Sequence, residues 1–546
     1  MIETELPSRE QMINELKQNN SFDVVVIGGG ITGAGIARDA MLRGLRVCLL
    51  DKSDFSGGTS SQSSKLLHGG LRYLQNYEFS LVREAALERA RNLEMAPHLS
   101  KIYRFVVPLY KWSKTPKFLL RMGLILYDIL AYPKSIGSHK NLGAKGIIKE
   151  YPFLKNDQLV GGAYYHDIRT NDSRLTLANI QSATSGHAIA LNYFKVESWE
   201  RVEDGVRVDA IDLETSEKLK IKTKVLVNAS GPWSEDVEKL GKDFEGDMKI
   251  RRTKGTHITI RPKFDDFAIL IVNDDNRPIF LIPWDEFTVV GTTDDEWKES
   301  NESVKASKED VDYILSALNR LFPEENYTYD DIFSTWAGLR PLVYQAGKDE
   351  RKTSRNHTIH NYGDVISIAG GKLTTYREMA RQTVDKVLKN LGLPISKHRC
   401  VTANLPLWSA AYPDYETFSS ETTNILRTKY NLGDDTAKML IEFYGEATEL
   451  ITNIIDEDQT LAERLEDNLP FIKAQVVHAV RHEYALNPVD VLRRRFQIAF
   501  CKGNGLSSLD TTVDLMAREL NWNADKRAEM TQMYIDYVNE FMAVPK

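Results

Sequence analysis

Residues 22–52 read "FDVVVIGGGITGAGIARDAMLRGLRVCLLDK", and this stretch decides the fold of the first half of the chain. Val24 to Ile27 form a short apolar run stopped by glycines, the pattern of a parallel strand buried on both faces. Ile31, Ala34, Ile36, Ala37, Ala40 and Met41 then recur at helical spacing, and Gly44 ends the helix. "RVCLLDK" is a second apolar strand closed by Asp51, which completes a strand–helix–strand unit. At the first joint Gly28, Gly30 and Gly33 spell G-x-G-x-x-G. Gly28 permits the tight turn, Gly30 lets backbone approach a pyrophosphate, and Gly33 lets helix and strand pack closely. Free N–H groups at the helix start favour phosphate, and Asp51 is placed to accept hydrogen bonds from a ribose diol. Strand, helix and acid together predict a dinucleotide site.

The bulk properties agree with a folded, multidomain α/β protein. The chain has 546 residues, 42% of them apolar and 27% charged, with a formal charge of −7. Mild acidity argues against a dedicated nucleic-acid binder. Cys48, Cys400 and Cys501 are far apart, so neither a disulfide framework nor a metal site is expected, and a reducing compartment is. The polar start lacks the apolar core of a secretory signal, and no run of about 18 apolar residues predicts a membrane-spanning helix.

Four regions are expected: an N-terminal extension (1–20), a discontinuous nucleotide-binding domain (21–100, 166–240 and 345–400), a cap (101–165 and 241–344) and a helical C-terminal domain (405–546). Residues 77–97 read as an exposed helix. Residues 192–213 alternate and turn at Asp204-Gly205, a hairpin signal. "KGTHITI", "AILIV", "IFLIPW" and "FTVVGTT" predict an antiparallel sheet in the cap. The tail segments "NPVDVLRRRFQIAF" and "HAVRHEYAL" are amphipathic and suit either a homodimer interface or packing on the cap.

The first unit alone does not separate NAD from FAD. Val225 to Gly231 and Ile366 to Thr375 are apolar strands that end in glycine turns, as later pieces of the same domain would. A cofactor touched by segments more than 300 residues apart suits a long, buried flavin. The opening fingerprint together with "TSSQSSKLLHGGLRYL" (59–74), "NASGPW" (228–233), "STWAGLRPL" (334–342) and "GGKLTTYREMA" (370–380) resembles the FAD-dependent glycerol-3-phosphate dehydrogenases. The resemblance implies a glutathione-reductase-like FAD-binding domain of the D-amino-acid-oxidase type, a substrate cap and a helical C-terminal domain. It implies oxidation of sn-glycerol 3-phosphate to dihydroxyacetone phosphate, with electrons passed to membrane quinone. A related branch, the glycerophosphate oxidases, passes them to oxygen and typically carries an extra insertion that is not evident here.

With a flavin bound, Thr59, Ser60, Ser61 and Ser64 would offer hydroxyls to it, and Gly69 and Gly70 would lie against its flat ring. Gly29, Thr32, Lys52, Leu66 and His68 extend the expected cofactor-binding set, as do Ala229, Gly231, Gly371, Leu373 and Thr374 from the later turns. The resemblance places Arg72, Tyr73, Arg340, Arg355 and Lys372 around the substrate. An arginine fork can grip two phosphate oxygens, and Lys372 or Arg340 could instead steady a developing alkoxide. A base must take the proton of the C2 hydroxyl; His257 and His68 are the candidates. Residues 101–134 mix seven Lys and Arg with Trp112, Phe118, Leu119 and Leu120 against one acid, Asp128. They fit a monotopic surface helix on anionic lipid or a cap helix with a solvated basic edge. Peripheral contact with the inner face of the cell membrane, from the cytoplasm, is therefore an expectation.

Overall fold

The computed structural model describes residues 6–273, 275, 277–344 and 356–545, apart from the side chains of Arg72, Gln75 and Asn76. Its first sheet carries five parallel strands in the order Val365–Ala369, Lys218–Asn228, Ser21–Ile27, Val47–Leu50 and Ile189–Leu191. Val24, Val25 and Val26 are fully buried, as their uninterrupted apolar run demands. The helix Ile31–Leu42 packs against the helices Asp172–Thr184 and Tyr376–Asn390. The strands Phe194–Val202 and Gly205–Asp212 form the predicted hairpin, which continues antiparallel onto the first half of Lys218–Asn228. The strand Ser21–Ile27 has Val47–Leu50 on one side and Lys218–Asn228 on the other, so the chain order reverses there.

The second sheet has ten strands built around Ile250–Ile260, which pairs along its whole length with Ile332–Val343. The four predicted cap strands pair antiparallel as expected, Ile250–Ile260 with Thr288–Gly291, Thr288–Gly291 with Pro278–Pro283, and Pro278–Pro283 with Phe267–Val272, while Phe267–Val272 meets Ser100–Tyr110 in parallel. Hairpins form inside each of the two chain excursions, but their junction joins strands remote in sequence. Sequence patterning does not dictate the direction of such a pairing.

The helix expected to be exposed, Phe79–Met95, is half-buried. Glu88 and Arg89 sit on its inner face, where Arg377 grips Glu88 through two hydrogen bonds of 2.6 and 2.7 Å and Arg89 pairs with Asp167. Charged residues at helical spacing look solvated in sequence; here each has a buried partner from a distant segment.

The helical domain runs from Tyr415 to Met542, and its apolar faces merge with cap residues in one cluster. The segment Asp490–Arg495 is buried against the nucleotide domain, so it presents no outer face to a second copy. Asp54, fully buried just after the second strand, accepts from Arg494 Nε at 2.6 Å and from both Arg495 terminal nitrogens at 2.6 and 2.8 Å. Burial alone would raise its pKa, but Arg495 and Arg494 outweigh burial and hold the carboxyl below the usual range. Among the described residues no helix is long and apolar enough to cross a membrane.

Removing one partner of such a pair leaves buried charge uncompensated, which costs about 3–5 kcal/mol. Asp54→Ala is therefore expected to lower the unfolding free energy of the full chain by that order, read as a lower denaturant midpoint. Because the folded pKa lies below the unfolded one, the contribution of Asp54 is present above about pH 4 and fades as pH falls further. A variant that unfolds at the parental midpoint at neutral pH would show that the network carries no net stability.

Candidate active site

At the carboxyl ends of the parallel strands, where chain order reverses, lies a cavity of about 870 Å³. That is within the range of about 300–1,000 Å³ usual for ligand pockets. Gly28, Gly30 and Asp51 line one part of it and Gly370 to Leu373 another. Gly28 has φ +110°, and a Cβ there would lie 2.7 Å from the Ala229 carbonyl oxygen. A Cβ on Gly33 would lie 1.8 Å from the Gly28 carbonyl oxygen. The helix Ile31–Leu42 starts at Gly30 with no side-chain cap from that residue and no acid in its first turn, which leaves its positive end to an anion. Asp51 Oδ2 accepts the Gly29 N–H at 2.5 Å, and Oδ1 accepts from the Ser53 N–H and hydroxyl at 2.8 and 2.9 Å. Burial raises the Asp51 carboxyl, offset in part by those hydrogen bonds. A glycine turn, a helix N-terminus, a carboxylate and an elongated cavity fit a dinucleotide such as FAD.

The expected cofactor-binding residues divide by position. Thr32, Lys52, Thr59, Ser60, Ala229, Gly231, Gly371 and Leu373 join Gly28, Gly30 and Asp51 in the cavity wall. Lys52 also pairs with Glu302 at 2.9 Å and lies over the Trp233 ring. The Ser60 hydroxyl accepts the Ile31 N–H at 2.9 Å, and the Thr59 hydroxyl donates to the Leu339 carbonyl at 2.6 Å. Ser61, Ser64, Leu66, His68, Gly69, Gly70 and Thr374 lie outside that wall. Ser61 is buried and accepts from Arg493 at 3.2 Å. Leu66 is buried in a short strand opposite Arg169. The Thr374 hydroxyl is spent on His68, accepting from its N–H at 3.0 Å and donating to its carbonyl at 3.2 Å. A Cβ on Gly69 would strike the Tyr127 hydroxyl at 2.3 Å, and one on Gly70 would strike the Tyr73 ring at 2.1 Å. Neither position has room for a side chain, because Tyr127 and Tyr73 pack against them.

The substrate residues form two groups. Arg340 and Trp336 lie on the strand Ile332–Val343, opposite Thr253 and His257. Between those partners stands Gly255, and the Arg340 guanidinium occupies the space where its Cβ would be. Arg340 donates to the Thr292 hydroxyl at 2.9 Å and pairs with Asp294 at 3.1 Å. The His257 ring stacks on Trp336 at 5.0 Å, and its Nε2 lies 2.8 Å from the Ser64 hydroxyl. Burial drives the His257 pKa well down, and Arg340 and then Lys65 push it the same way, so the imidazole is neutral. Lys65 itself is buried against Asp172 at 2.6 Å. In the second group the Lys372 ammonium lies 3.5 Å from the Tyr73 ring centre, and Tyr73 stacks with His68 at 6.4 Å. Ser64 and His68 are four residues apart, so the two groups are joined by at most about 14 Å of chain. The backbone of Arg72 belongs to the turn Leu71–Asn76; its side chain and the whole of Arg355 lie outside the described residues.

Sequence reading missed several wall residues. Phe194 to Glu197 come from the hairpin, Asn301 and Glu302 from a short turn of the cap, and Arg494, Met533, Tyr537 and Phe541 from the helical tail. The hairpin was legible as structure. The tail residues carry no local signal, because only the packing of the last domain brings them to the cavity.

Comparison with known proteins agrees with this geometry. Residues 23–377 match the family described as FAD dependent oxidoreductase, and residues 400–527 match the C-terminal domain of alpha-glycerophosphate oxidase. The chain is 36% identical over 548 residues to a glycerol-3-phosphate dehydrogenase of Synechocystis, covering 96% of this chain and 97% of that one. It is 36% identical over 530 residues to an aerobic glycerol-3-phosphate dehydrogenase of Staphylococcus aureus, covering 94% of each. The crystal structure of the glycerol-3-phosphate dehydrogenase from Bacillus halodurans complexed with FAD superposes with a TM-score of 0.79 at 30% identity, covering 98% of this chain and 97% of that one. With the glycine turn, the cavity and both domain matches in register along nearly its whole length, the chain belongs to the FAD-dependent oxidoreductases, and within them to the glycerol-3-phosphate dehydrogenases.

Proposed function

We propose that the protein oxidises sn-glycerol 3-phosphate to dihydroxyacetone phosphate and passes the electrons to quinone at a membrane. The observation that carries this reading is the pairing of a neutral imidazole with an arginine on the cap strands, linked by one short segment to Lys372 at the cavity. In the reaction the C2–H bond breaks with its electron pair, the C2 hydroxyl loses its proton, and a carbonyl forms. Bound FAD supplies the acceptor of that pair. Gly28, Gly30 and Asp51 would hold its nucleotide half, and the turn Gly370 to Leu373 would meet its flavin half.

The protein's own groups do the remaining work. Arg340, with Arg72 and Arg355, which the family resemblance places around the substrate, grips the phosphate dianion, for which a planar fork is suited. Lys372 holds the reacting oxygen and offsets negative charge that builds on it. The proton leaves through the Ser64 hydroxyl toward His257 Nε2, whose imidazole is held neutral.

Membrane contact rests on the helix Lys117–Ala131. Leu120, Leu124, Tyr127 and Ala131 face the core, yet Phe118 is 73% exposed, Ile129 61% and the following Tyr132 73%. Lys114, Lys117 and Arg121 are exposed beside them. Exposed apolar side chains rimmed by cations suit the surface of anionic lipid, where quinone is reached. Attachment to the inner face of the cell membrane follows from the same reading. A second reading, an oxidase that reduces oxygen to hydrogen peroxide, is favoured by the tail's match to an alpha-glycerophosphate oxidase domain.

Anaerobic addition of sn-glycerol 3-phosphate is expected to bleach the flavin absorbance of the purified protein and to yield an equimolar ketone. A quinone analogue should then restore the colour faster than oxygen does; the reverse order would establish the oxidase, and an unchanged spectrum would rule out both. His257→Asn should lower kcat by about 10²–10⁴. Burial and the neighbouring Arg340 hold the imidazole pKa well below the ordinary histidine value of about 6.5, so that factor should not change as pH passes through that value; an acid limb near 6.5 that vanishes in the variant would contradict this. In flotation with anionic vesicles the parent should rise and Phe118→Asp/Leu119→Asp should not; equal flotation would remove this helix as the contact.

A further inference from the structure

The cavity that would hold FAD is closed at one end by the helical C-terminal domain. The nucleotide fold itself supplies the floor there: Asp51 at the end of the second strand, and Phe194 to Glu197 from the hairpin. Met533, Tyr537 and Phe541 of the tail line the same cavity, and Tyr537 lies within electrostatic reach of Arg494, which is bonded to the wall residue Asp54 three positions after Asp51. These three are spaced four residues apart along the helix Ala524–Tyr537 and its continuation Val538–Met542, so they form one stripe on one face. The Tyr537 and Phe541 rings touch, with centroids 5.2 Å apart. Met533 is 37% exposed, at the rim.

Beside the stripe the tail is tied to the nucleotide domain by a buried polar network. Arg494, itself in the cavity wall, is fixed by Asp54 at 2.6 Å and by Asp490. Tyr193, another wall residue, donates to Asp490 at 2.7 Å and accepts from Asn487 at 2.6 Å. The last domain is thus anchored to the nucleotide domain at the spot where it reaches the cavity.

In a strand–helix–strand nucleotide fold, the carboxylate that ends the second strand marks the ribose of the adenosine half. An adenine has two flat apolar faces, and aromatic or thioether side chains stack on such faces whatever the base. We propose that the Met533–Tyr537–Phe541 stripe is the outer wall of the adenosine subsite, so that the helical domain is part of the cofactor site and not an appendage. This rests on the reading that the cavity holds FAD. A consequence is that FAD and the tail stabilise each other: the cofactor binds only the arrangement in which the last helix is docked.

The test uses the full chain, stripped of flavin and titrated with FAD while flavin fluorescence is followed. Tyr537→Ala and, separately, Met533→Glu are expected to raise the Kd for FAD about tenfold or more, the loss that follows removal of one base–aromatic contact. Tyr537→Phe should keep the parental Kd. The melting temperature of each apoprotein, measured in parallel, should stay near the parental one, while the rise produced by saturating FAD shrinks. The proposal is overturned if both variants bind FAD within about twofold of the parent, or if their loss is matched by an equal fall in apoprotein melting temperature, which is a defect of folding. A parent chain that takes up no FAD would instead overturn the cofactor reading on which the proposal stands.

Discussion

The contact between residues 28 and 33 constrains everything else. The Gly28 carbonyl oxygen points at the helix so closely that a methyl group at position 33 would sit 1.8 Å away, well inside van der Waals contact. Only a residue without Cβ lets the first helix start where it does, directly above the end of the first strand. That start leaves the positive end of the helix, with no acid in its first turn, beside the cavity that Gly28 and Gly30 line. The same turn ties Gly29 to Asp51, so one loop sets both the phosphate and the ribose ends of the cradle.

Around this turn the chain uses charge to join parts far apart in sequence. Asp54 holds Arg494 and Arg495, Glu88 holds Arg377, Asp172 holds Lys65, and Asp167 holds Arg89. Each pair is buried. Such pairs add little net stability compared with apolar packing, but a wrong pairing would strand a charge in the interior. They therefore select one arrangement of nucleotide domain, cap and tail among the many compact ones that hydrophobic burial alone would allow. The three arginines of the tail are the clearest instance, since two of them converge on a single carboxylate.

On the cap side an omitted side chain again makes the site. Gly255 leaves the room that the Arg340 guanidinium fills, and Gly291 leaves the room against which the His257 ring packs. A cation and a neutral imidazole can then share one face of a sheet. Burial makes the imidazole neutral, and the neighbouring cations reinforce that state.

What the sequence by itself determined was local. The run Val24–Ile27, the three glycines, the helical spacing after them and the hairpin at Asp204-Gly205 are each written within a few residues, and the structure has them. Thr32, Thr59, Ser60, Gly231 and Gly371 reach the cavity because they sit at strand ends or glycine turns, positions that patterning reveals. Tertiary structure alone decided the rest. That Tyr127 and Tyr73 pack against Gly69 and Gly70 depends on how the cap helix and the turn fold back. Ser61 and Thr374 have hydroxyls like those of Thr59 and Ser60, yet theirs serve Arg493 and His68. Glu88 and Arg89 resemble solvated helix residues until distant partners meet them. The parallel junction in the second sheet and the aromatic stripe at the cavity have the same origin. Backbone preference and periodicity act over a few residues and leave their mark in the local sequence; the choice of partner is made by packing between segments hundreds of residues apart, and no local pattern encodes it.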